Sequence, residues 1–590
     1  MLKNSVKNGI IILYNCVKYI YKEIYIMDFV KGIAEAVAKA AKLDINDVEN
    51  VIEVPKLGMG DYAFPCFRLA KTLRKAPPMI AADIAEKIEK PDFVSEIKVV
   101  NAYINFYVDK TIFVENVLKS VNEKGKKYIN SGIGNGKTIV IDYSSPNIAK
   151  PFHIGHLRST AIGNSLYKIY KALGYNVVGI NHLGDWGTQF GKLIVAYKMW
   201  GNKEDVERDD IKELSRIYVK FHDEAEKNPS LNDEARSWLV KMQEGDEEAL
   251  SLWKWFCEIS MKEFNRIYKR LGITFDSYAG ESFYNDKMQA VVDEIKEKNL
   301  LKESQGAQIV DLEEYKMPPC LILRSDGGTL YPTRDISAAI YRKNTYNFDK
   351  CIYVTALDQN LHFAQWFKVI ELMGYDWAKD LVHTPFGLVS LGDGKLSTRK
   401  GHVVLMEDIL NMSVEKTKNI IEEKNPNLVN KDEIAEEVGI GAIVFDDLYN
   451  SRIKNVVFDF DRMLNFDGET GPYAQYTHAR ACSIIKKADI DKADNNVDYN
   501  LLSDEASFNV CKMINDFPDK LIEAADKNEP YIVARQIIEI CKAFNKFYNE
   551  NNIMNSEENV KKARLSIVFA VKDILAAGLD LLGVKAPEQM

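Results

Sequence analysis

The chain has 590 residues, with 77 lysines and arginines against 86 aspartates and glutamates, and so a formal net charge of −9. At roughly 100–200 residues per domain, this length predicts about three or four domains. The apolar content of 46% and the charged content of 28% exclude disorder, collagen-like repeats and a coiled coil as the main architecture. An acidic total also argues against a nucleic-acid partner.

No apolar run approaches the roughly 18–20 residues that a membrane span needs, so we expect no membrane association. The eight cysteines are scattered and form no CxxC pair. This usage indicates reduced thiols in a reducing, cytoplasmic compartment and argues against a disulfide framework or a zinc ribbon. No protein-bound metal site is predicted.

Residues 1–26 differ in composition from the rest, because four lysines oppose a single glutamate around a short apolar stretch. A signal peptide needs about 7–15 apolar residues and a small-residue cleavage site, and neither is present. A transit peptide would be rich in arginine and serine. We interpret these residues as an extension upstream of a start at Met27.

The segment 27–130 has the pattern of a small α/β domain. Apolar residues at helical spacing follow Met27 directly, and Asn101–Tyr107 alternates as a half-buried strand does. A glycine-rich loop at 131–136 is the predicted boundary to the next domain.

The segment 131–412 is predicted to contain a parallel sheet. Thr138–Ile141 is a short β-branched strand, an amphipathic helix runs from Leu157 to Leu173, and Tyr175–Ile180 is a second buried strand. This βαβ order implies parallel strands with ligands at their carboxyl ends. Further buried strands are expected at Cys351–Val354 and Val382–Val389.

Two stretches are predicted to be helical. Residues 200–300 form a charged helical insertion, and residues 413–590 form a separate all-helical domain. No internal repeat is evident.

The loop after the first buried strand places two histidines where a helix begins. His153 and His156 flank Ile-Gly, and backbone N–H groups at a helix start favour an anionic ligand. Gly155 allows a flat base to approach the backbone. The alternatives are two surface histidines or a metal pair.

A second loop, Gly394–Gly401, carries three cations and no acid. Such a loop suits a pyrophosphate leaving group, although on its own it is more often a solvated turn. The residues that would contact phosphates are Lys395, Ser397, Arg399 and Lys400.

Together the two loops resemble the HIGH and KMSKS signatures of class I aminoacyl-tRNA synthetases. Three further strings narrow the resemblance to the arginyl-tRNA synthetase family over about residues 27–590. These strings are Asn181–Gly191, which contains Gly-Asp-Trp-Gly, together with Tyr331–Asp335 and Gly471–Tyr476.

The resemblance implies a Rossmann-type catalytic domain and a two-step reaction. Arginine and ATP would give arginyl-adenylate and pyrophosphate, and the arginyl group would then pass to the terminal ribose of tRNA with release of AMP. By resemblance, His153 and His156 bind ATP phosphates and Lys395 steadies the pyrophosphate. The second lysine of KMSKS is Thr398 here, and Lys150 is expected to supply the missing charge.

The same resemblance assigns an arginine pocket. Asp335 would pair with the guanidinium, and Tyr331 and Gln359 would line the pocket. Asp142 and Asn147 would hold the substrate's α-amino and carboxyl groups. The alternative role of Asp335 is to cap the amino end of a helix over Ile336–Tyr341.

The resemblance also assigns tRNA contacts. Tyr473, Tyr476 and Arg480 lie at helical spacing and would stack on anticodon bases, unless this stripe is buried in the core. Residues 466–590 hold 15 basic and 20 acidic residues, a net of −5, so diffuse attraction is not the whole mechanism. In the domain over 27–130, Asn105 and Phe106 would contact the tRNA elbow.

We therefore expect a cytoplasmic, monomeric ligase that uses ATP with Mg²⁺ and acts on L-arginine and its cognate tRNA. The family commonly requires bound tRNA before arginine is activated, and we expect this here. Two alternatives remain open at this point: a class I synthetase for lysine, and a catalytically silent tRNA-binding relative.

Overall fold

The computed structural model describes residues 29–55, 59–325, 327–391, 404–494 and 496–590. Two compact units are present. The first comprises Met1–Tyr128, Ser483–Asp516 and Lys542–Ile574, and the second comprises Ile129–Cys482, Phe517–Cys541 and Leu575–Met590. The helical segment over 413–590 therefore contributes residues to both units.

Up to residue 128 the chain forms five helices and three strands within the described residues. They are α1 (Phe29–Ala41), α2 (Ile45–Glu49), β1 (Tyr62–Pro65), α3 (Ala70–Leu73), α4 (Pro77–Ala85), β2 (Val94–Val100), β3 (Tyr103–Val108) and α5 (Lys110–Lys124).

The next part of the chain carries the parallel strands and the helical insertion. Its elements are β4 (Thr138–Asp142), α6 (Leu157–Ala172), β5 (Asn176–Ile180), α7 (Thr188–Trp200), α8 (Lys203–Asp209), α9 (Ile211–Lys227), α10 (Ser230–Glu244), α11 (Glu247–Leu271), α12 (Met288–Glu297), β6 (Leu301–Ser304), β7 (Ala307–Val310), β8 (Cys320–Leu323), α13 (Tyr331–Tyr346), β9 (Lys350–Tyr353), α14 (Asn360–Leu372), β10 (Leu381–His383) and β11 (Val389–Leu391).

From residue 404 onward the described residues form helices and one short strand. The elements are α15 (Met406–Lys424), α16 (Lys431–Tyr449), β12 (Val456–Phe458), α17 (Phe460–Met463), α18 (Gly471–Ala488), α19 (Glu505–Asn515), α20 (Phe517–Lys527), α21 (Tyr531–Glu550) and α22 (Glu558–Leu581). Among the described residues, no helix combines the length and the apolar character that a membrane crossing requires.

The first unit is built on an antiparallel sheet in the order β1-β3-β2. Helices α1 and α5 pack through aromatic rings, with the centroids of Phe29 and Phe113 4.8 Å apart. Phe113 also lies 5.2 Å from Phe508 of α19, so residues from the two ends of the chain share one core. This sharing could not be read from local patterns.

The second unit contains the predicted parallel sheet, in the order β10-β9-β4-β5. Asp142 at the end of β4 is in register with Tyr353 of β9 and Ile180 of β5, so the three carboxyl ends meet at one edge. The prediction of a Rossmann-type sheet is confirmed. An apolar cluster around Trp366 and Ile336 packs against one face of it.

One predicted strand is wrong. The run Val382–Val389 forms two strands, β10 and β11, which belong to different sheets. Pro385 and Gly387 lie between them. The carbonyl of Pro385 accepts a bond from Arg452 Nη1 at 2.6 Å, and the carbonyl of Gly387 accepts one from Arg158 Nη1 at 3.0 Å. Because both carbonyls are bonded to side chains, the chain leaves the sheet here.

A buried ion pair joins the first turn of α6 to α16. Arg158 Nε lies 2.9 Å from Asp447 Oδ1, and the two side chains are 1% and 0% exposed. Arg158 Nη1 also donates to the carbonyls of Gly387 and Lys454. Burial raises the pKa of Asp447, and the charge of Arg158 opposes that rise.

We predict that Asp447→Asn destabilises the protein by about 3–5 kcal/mol, because Arg158 would be left buried without its counter-ion. Urea unfolding measures this loss. Asp461→Asn is the matched control, since Asp461 pairs with Lys416 at 3.0 Å but is 91% exposed, and its loss should stay below about 1 kcal/mol. Equal unfolding midpoints for the two variants would contradict the prediction.

Candidate active site

The loop from β4 to α6 has an unusual backbone. Ser144, Ser145 and Ala149 adopt left-handed φ angles of 69°, 46° and 63°. For residues other than glycine, each such conformation costs on the order of 1–3 kcal/mol and persists only where the surroundings hold it. The loop is therefore held in a conformation that its own residues do not favour.

Side chains from other elements hold this loop by its N–H groups. Ser144 donates to Ser159 Oγ of α6 at 2.9 Å, and Ser145 donates to the Asn181 side-chain carbonyl at 3.1 Å. Ala149 donates to Ser260 Oγ of α11 at 3.0 Å. These three bonds hold the backbone of the loop in one conformation before the start of α6.

The two predicted histidines lie together in the turn that precedes α6. The Nδ1 atom of His153 accepts a bond from the N–H of Gly155 at 3.0 Å, and the Nδ1 atom of His156 accepts one from the N–H of His153 at 3.1 Å. Their ring centroids are 3.9 Å apart. Because Nδ1 accepts in both rings, the neutral tautomer carries its hydrogen on Nε2 and offers it as a donor.

Both rings are neutral at physiological pH. Burial is the main cause that lowers the pKa of His156, to about 3, and the neighbouring His153 and Lys150 lower it further. Burial and then Lys150 also lower the pKa of His153. Lys150 is exposed and lies close enough for its charge to act on both rings.

The predicted basic loop, with Lys395, Ser397, Arg399 and Lys400, lies outside the described residues. Val404 is the first described residue after this loop, and its carbonyl accepts a bond from the N–H of Ile154 at 3.2 Å. Two residues further on, Met406 donates to the carbonyl of Phe152 at 2.9 Å. Val404 and Met406 are therefore paired with the segment that contains the histidine turn.

The predicted guanidinium ligand Asp335 lies in the second turn of α13. Its Oδ2 atom is 2.5 Å from Nε2 of His362 in α14. The alternative helix-capping role is wrong, because α13 begins at Tyr331 and Leu330 occupies the capping position. Tyr331 is 66% exposed, and Gln359, just before α14, is exposed as well.

Asp142 does not have the environment that the sequence predicted. Its Oδ2 atom lies 2.7 Å from Nη2 of the buried Arg342, and its Oδ1 atom accepts a bond from Ser145 Oγ at 2.8 Å. The side chain is 9% exposed. Both oxygens are engaged because β4 ends against α13.

Asn147 is exposed and packs on the backbone of Gly184. A Cβ atom at Gly184 would lie 2.2 Å from the Asn147 side-chain oxygen, so only glycine allows this approach. Two backbone bonds, Gly184 to Pro146 and Ile148 to Gly184, complete the contact at 3.1 Å each. The loop is thereby attached to the Gly-Asp-Trp string.

Glu281 is a candidate that the sequence did not identify. Its Oε2 atom lies 3.2 Å from Nη1 of Arg334, and its side chain is 15% exposed. Burial raises the pKa of Glu281 to about 7; Arg334 opposes this rise, whereas the charges of Asp335 and Asp185 add to it. Nothing local marks Glu281, because its turn is brought to the sheet edge by contacts with distant residues, among them the bridge between Ile180 and Ser277 and the bond from the Glu281 N–H to the Leu183 carbonyl.

Two residues of the predicted anticodon stripe, Tyr476 and Arg480, line a groove of about 370 Å³. Arg480 lies over the Tyr476 ring at 4.9 Å, Phe466 is 6.4 Å from that ring, and Tyr476 is 39% exposed. Lys424 and Met590 also line this groove. Tyr473 is partly buried one turn earlier.

The predicted elbow contacts are not at the surface of the described structure. Asn105 is 2% exposed and Phe106 is fully buried. The reason is that β3 is the central strand of its sheet, with β1 and β2 on either side. Their direct contact with a tRNA base is not supported by this geometry.

Three family models cover most of the chain. The arginyl tRNA synthetase N-terminal domain matches residues 28–108, the catalytic domain of tRNA synthetases class I (R) matches 114–460, and the DALR anticodon binding domain matches 474–590. Together with the parallel sheet and the histidine turn at its edge, these matches define a class I aminoacyl-tRNA synthetase.

Individual relatives agree with this class. The arginine–tRNA ligase of Alkaliphilus metalliredigens is 58% identical over 92% of this chain and 95% of its own. That of Clostridioides difficile is 57% identical over 94% and 98%. The structure of Thermus thermophilus arginyl-tRNA synthetase aligns with a TM-score of 0.81 at 25% identity over 95% of this chain and 100% of its own.

The chain belongs to the arginyl-tRNA synthetase family. Its reaction is the ATP-dependent attachment of arginine to tRNA. The two alternatives, a lysine enzyme and a silent relative, are thereby excluded. The inference from acidic net charge against a nucleic-acid partner is wrong.

We predict that His156→Ala slows arginine-dependent ATP–pyrophosphate exchange by about 10²–10³-fold, the usual effect of removing one preorganised donor. His156→Asn should lose less, because its amide still donates. The ring is neutral well above pH 3, so the wild-type rate should show no titration of His156 between pH 6 and 9. An alanine variant with wild-type exchange would contradict this role.

Proposed function

We propose that arginyl-adenylate forms at the amino end of α6, where His153 and His156 donate Nε2–H bonds to the phosphates of ATP. The observation that carries this proposal is the occupation of both Nδ1 atoms by backbone N–H groups, which fixes the tautomer. The N–H groups at the start of α6 add to the attraction for phosphate. Gly155 leaves room for the adenine base.

In the first step the carboxylate of arginine attacks the α-phosphorus of ATP, and the bond to the β-phosphate breaks to release pyrophosphate. In the second step the ribose hydroxyl of tRNA attacks the arginyl carbonyl and AMP leaves. Neither step requires a protein nucleophile, so positioning and charge stabilisation supply the acceleration.

We assign the stabilisation of the negative charge on the leaving pyrophosphate to Lys395, Ser397, Arg399 and Lys400. Lys150 supplies the positive charge that is missing at Thr398. Two observations support this assignment. Lys150 acts electrostatically on both histidines, and the chain after the basic loop pairs with Ile154.

We assign the binding of the substrate guanidinium to Asp335 and Glu281. Tyr331 and Gln359 line the pocket, and Asn147 holds the α-amino and carboxyl groups of arginine. Carboxylates match the planar donor fork of a guanidinium. The charge of Asp335 raises the pKa of Glu281, and this supports a shared site. Asp142 acts through Ser145 and Arg342 as a positioning residue.

The tRNA anticodon is assigned to the groove around Tyr476, with Tyr473 and Arg480 as further contacts. Exposed rings and guanidinium planes stack on splayed bases and contribute about 1–3 kcal/mol per base. Because Asn105 and Phe106 are buried, we assign the tRNA elbow to the domain over 27–130 as a whole.

Mg²⁺ is assigned to the nucleotide substrate, whose phosphates supply the oxygen ligands that this ion prefers. We further propose that the enzyme is a cytoplasmic monomer and that bound tRNA precedes arginine activation.

ATP–pyrophosphate exchange tests the proposal directly. With cognate arginine tRNA present, arginine should support exchange and lysine should not. Without tRNA, exchange with arginine should fall close to background. Arginine-dependent exchange that is missing with tRNA present would refute the activation step, and full exchange without tRNA would refute the order of binding.

We predict that kcat/KM for arginine falls as the pH drops below about 7. Glu281, with a pKa of about 7, is ionised above that pH and binds the cationic guanidinium, whereas below it the neutral acid does not. Glu281→Gln should lower kcat/KM for arginine by about 10–100-fold at pH 8 and abolish this pH dependence. Glu303→Gln, at an exposed position in β6, is the control.

A pH profile for arginine that is unchanged in Glu281→Gln would refute the role of Glu281. The kcat/KM for ATP, measured in parallel, should be the same in both variants and the wild type.

A further inference from the structure

The Gly-Asp-Trp string has no assigned chemistry, yet its aspartate binds the residue that follows Glu281. Asp185 Oδ1 accepts a bond from the backbone N–H of Ser282 at 2.8 Å, and Oδ2 accepts one from the Ser282 hydroxyl at 2.6 Å. One carboxylate thus holds both donors of the residue that follows Glu281.

The backbone around this contact is fixed as well. Glu281 donates its N–H to the carbonyl of Leu183 at 2.9 Å. A Cβ atom at Gly280 would lie 2.7 Å from that carbonyl and 2.8 Å from the Asp185 carboxylate carbon, so only glycine lets the two segments approach this closely.

Asp185 is itself held in place. Its carbonyl accepts a bond from Trp253 Nε1 in α11 at 2.7 Å, and the preceding Gly184 packs on Asn147. The contact therefore extends from the helical insertion to the turn Glu281–Tyr284. On the other side of that turn, Arg334 of α13 holds the Glu281 carboxylate at 3.2 Å.

We infer that Asp185 is a positioning residue for arginine recognition, which fixes the turn at Ser282 so that the Glu281 carboxylate faces the substrate guanidinium. This inference rests on the proposed role of Glu281. Direct contact between Asp185 and the substrate is not needed, because both of its oxygens are already engaged by Ser282. The negative charge of Asp185 also adds to the raised pKa of Glu281.

A set of variants tests the inference in the full-length protein, with kcat/KM measured separately for arginine and for ATP. Asp185→Asn keeps the shape but replaces one accepting oxygen by a donor. It should lower kcat/KM for arginine about tenfold, the loss of one charge-assisted hydrogen bond, and leave that for ATP within about twofold. Ser282→Ala should lose less, about threefold, because the backbone bond remains.

Two comparisons separate positioning from a general structural effect. Ser282→Thr keeps the hydroxyl and should restore values near those of the wild type. The double variant of Asp185→Asn with Glu281→Gln should have a kcat/KM for arginine no lower than that of Glu281→Gln alone. If Asp185 acts only by positioning the Glu281 carboxylate, its substitution has no further effect once that carboxylate is removed.

Asp210→Asn is the control in the same helical insertion, since Asp210 pairs only with the exposed Lys262 among its described contacts. It should change neither constant. If Asp185→Asn does not fold, Ser282→Ala and Ser282→Thr carry the test.

Equal losses for arginine and ATP, or losses that add in the double variant, would overturn the positioning role of Asp185. A large effect of Glu281→Gln with Asp185→Asn at wild-type values would overturn this inference alone. A Glu281→Gln variant with wild-type kcat/KM for arginine would instead overturn the proposed role of Glu281.

Discussion

The active-site turn depends on the buried pair of Arg158 and Asp447. Arg158 lies two residues after His156, and the same guanidinium binds the carbonyls of Gly387 and Lys454. One side chain thus joins the start of α6, helix α16 and the segments on both sides of the basic loop. Because a buried charge without its counter-ion is costly, these parts are held in one arrangement.

Around this pair, the catalytic loop is held by contacts that its own sequence does not encode. The left-handed Ser144, Ser145 and Ala149 need the side chains of Ser159, Asn181 and Ser260, which come from three separate segments. Asp142 with Arg342 and Asp185 with Ser282 act in the same way. These two carboxylates at the sheet edge are therefore engaged by groups of the protein itself.

Local patterns located the main elements well. The βαβ unit and the helix after the histidines lie within a residue or two of their predicted ends, because buried β-branched runs and amphipathic spacing are local properties. The split of Val382–Val389 was missed, since it depends on arginine side chains 67 and 229 positions away. The burial of Asn105 and Phe106 was missed because a strand's place within its sheet is not a local property.

The sequence by itself determined the family and the reaction, since these rest on residue types at fixed short spacing. Tertiary structure alone decided the partners of each carboxylate. Asp142 pairs with Arg342, Asp335 lies against His362, and Glu281 pairs with Arg334. The physical reason is that a carboxylate takes its role from its burial and its partners, and both are set by segments distant in the chain.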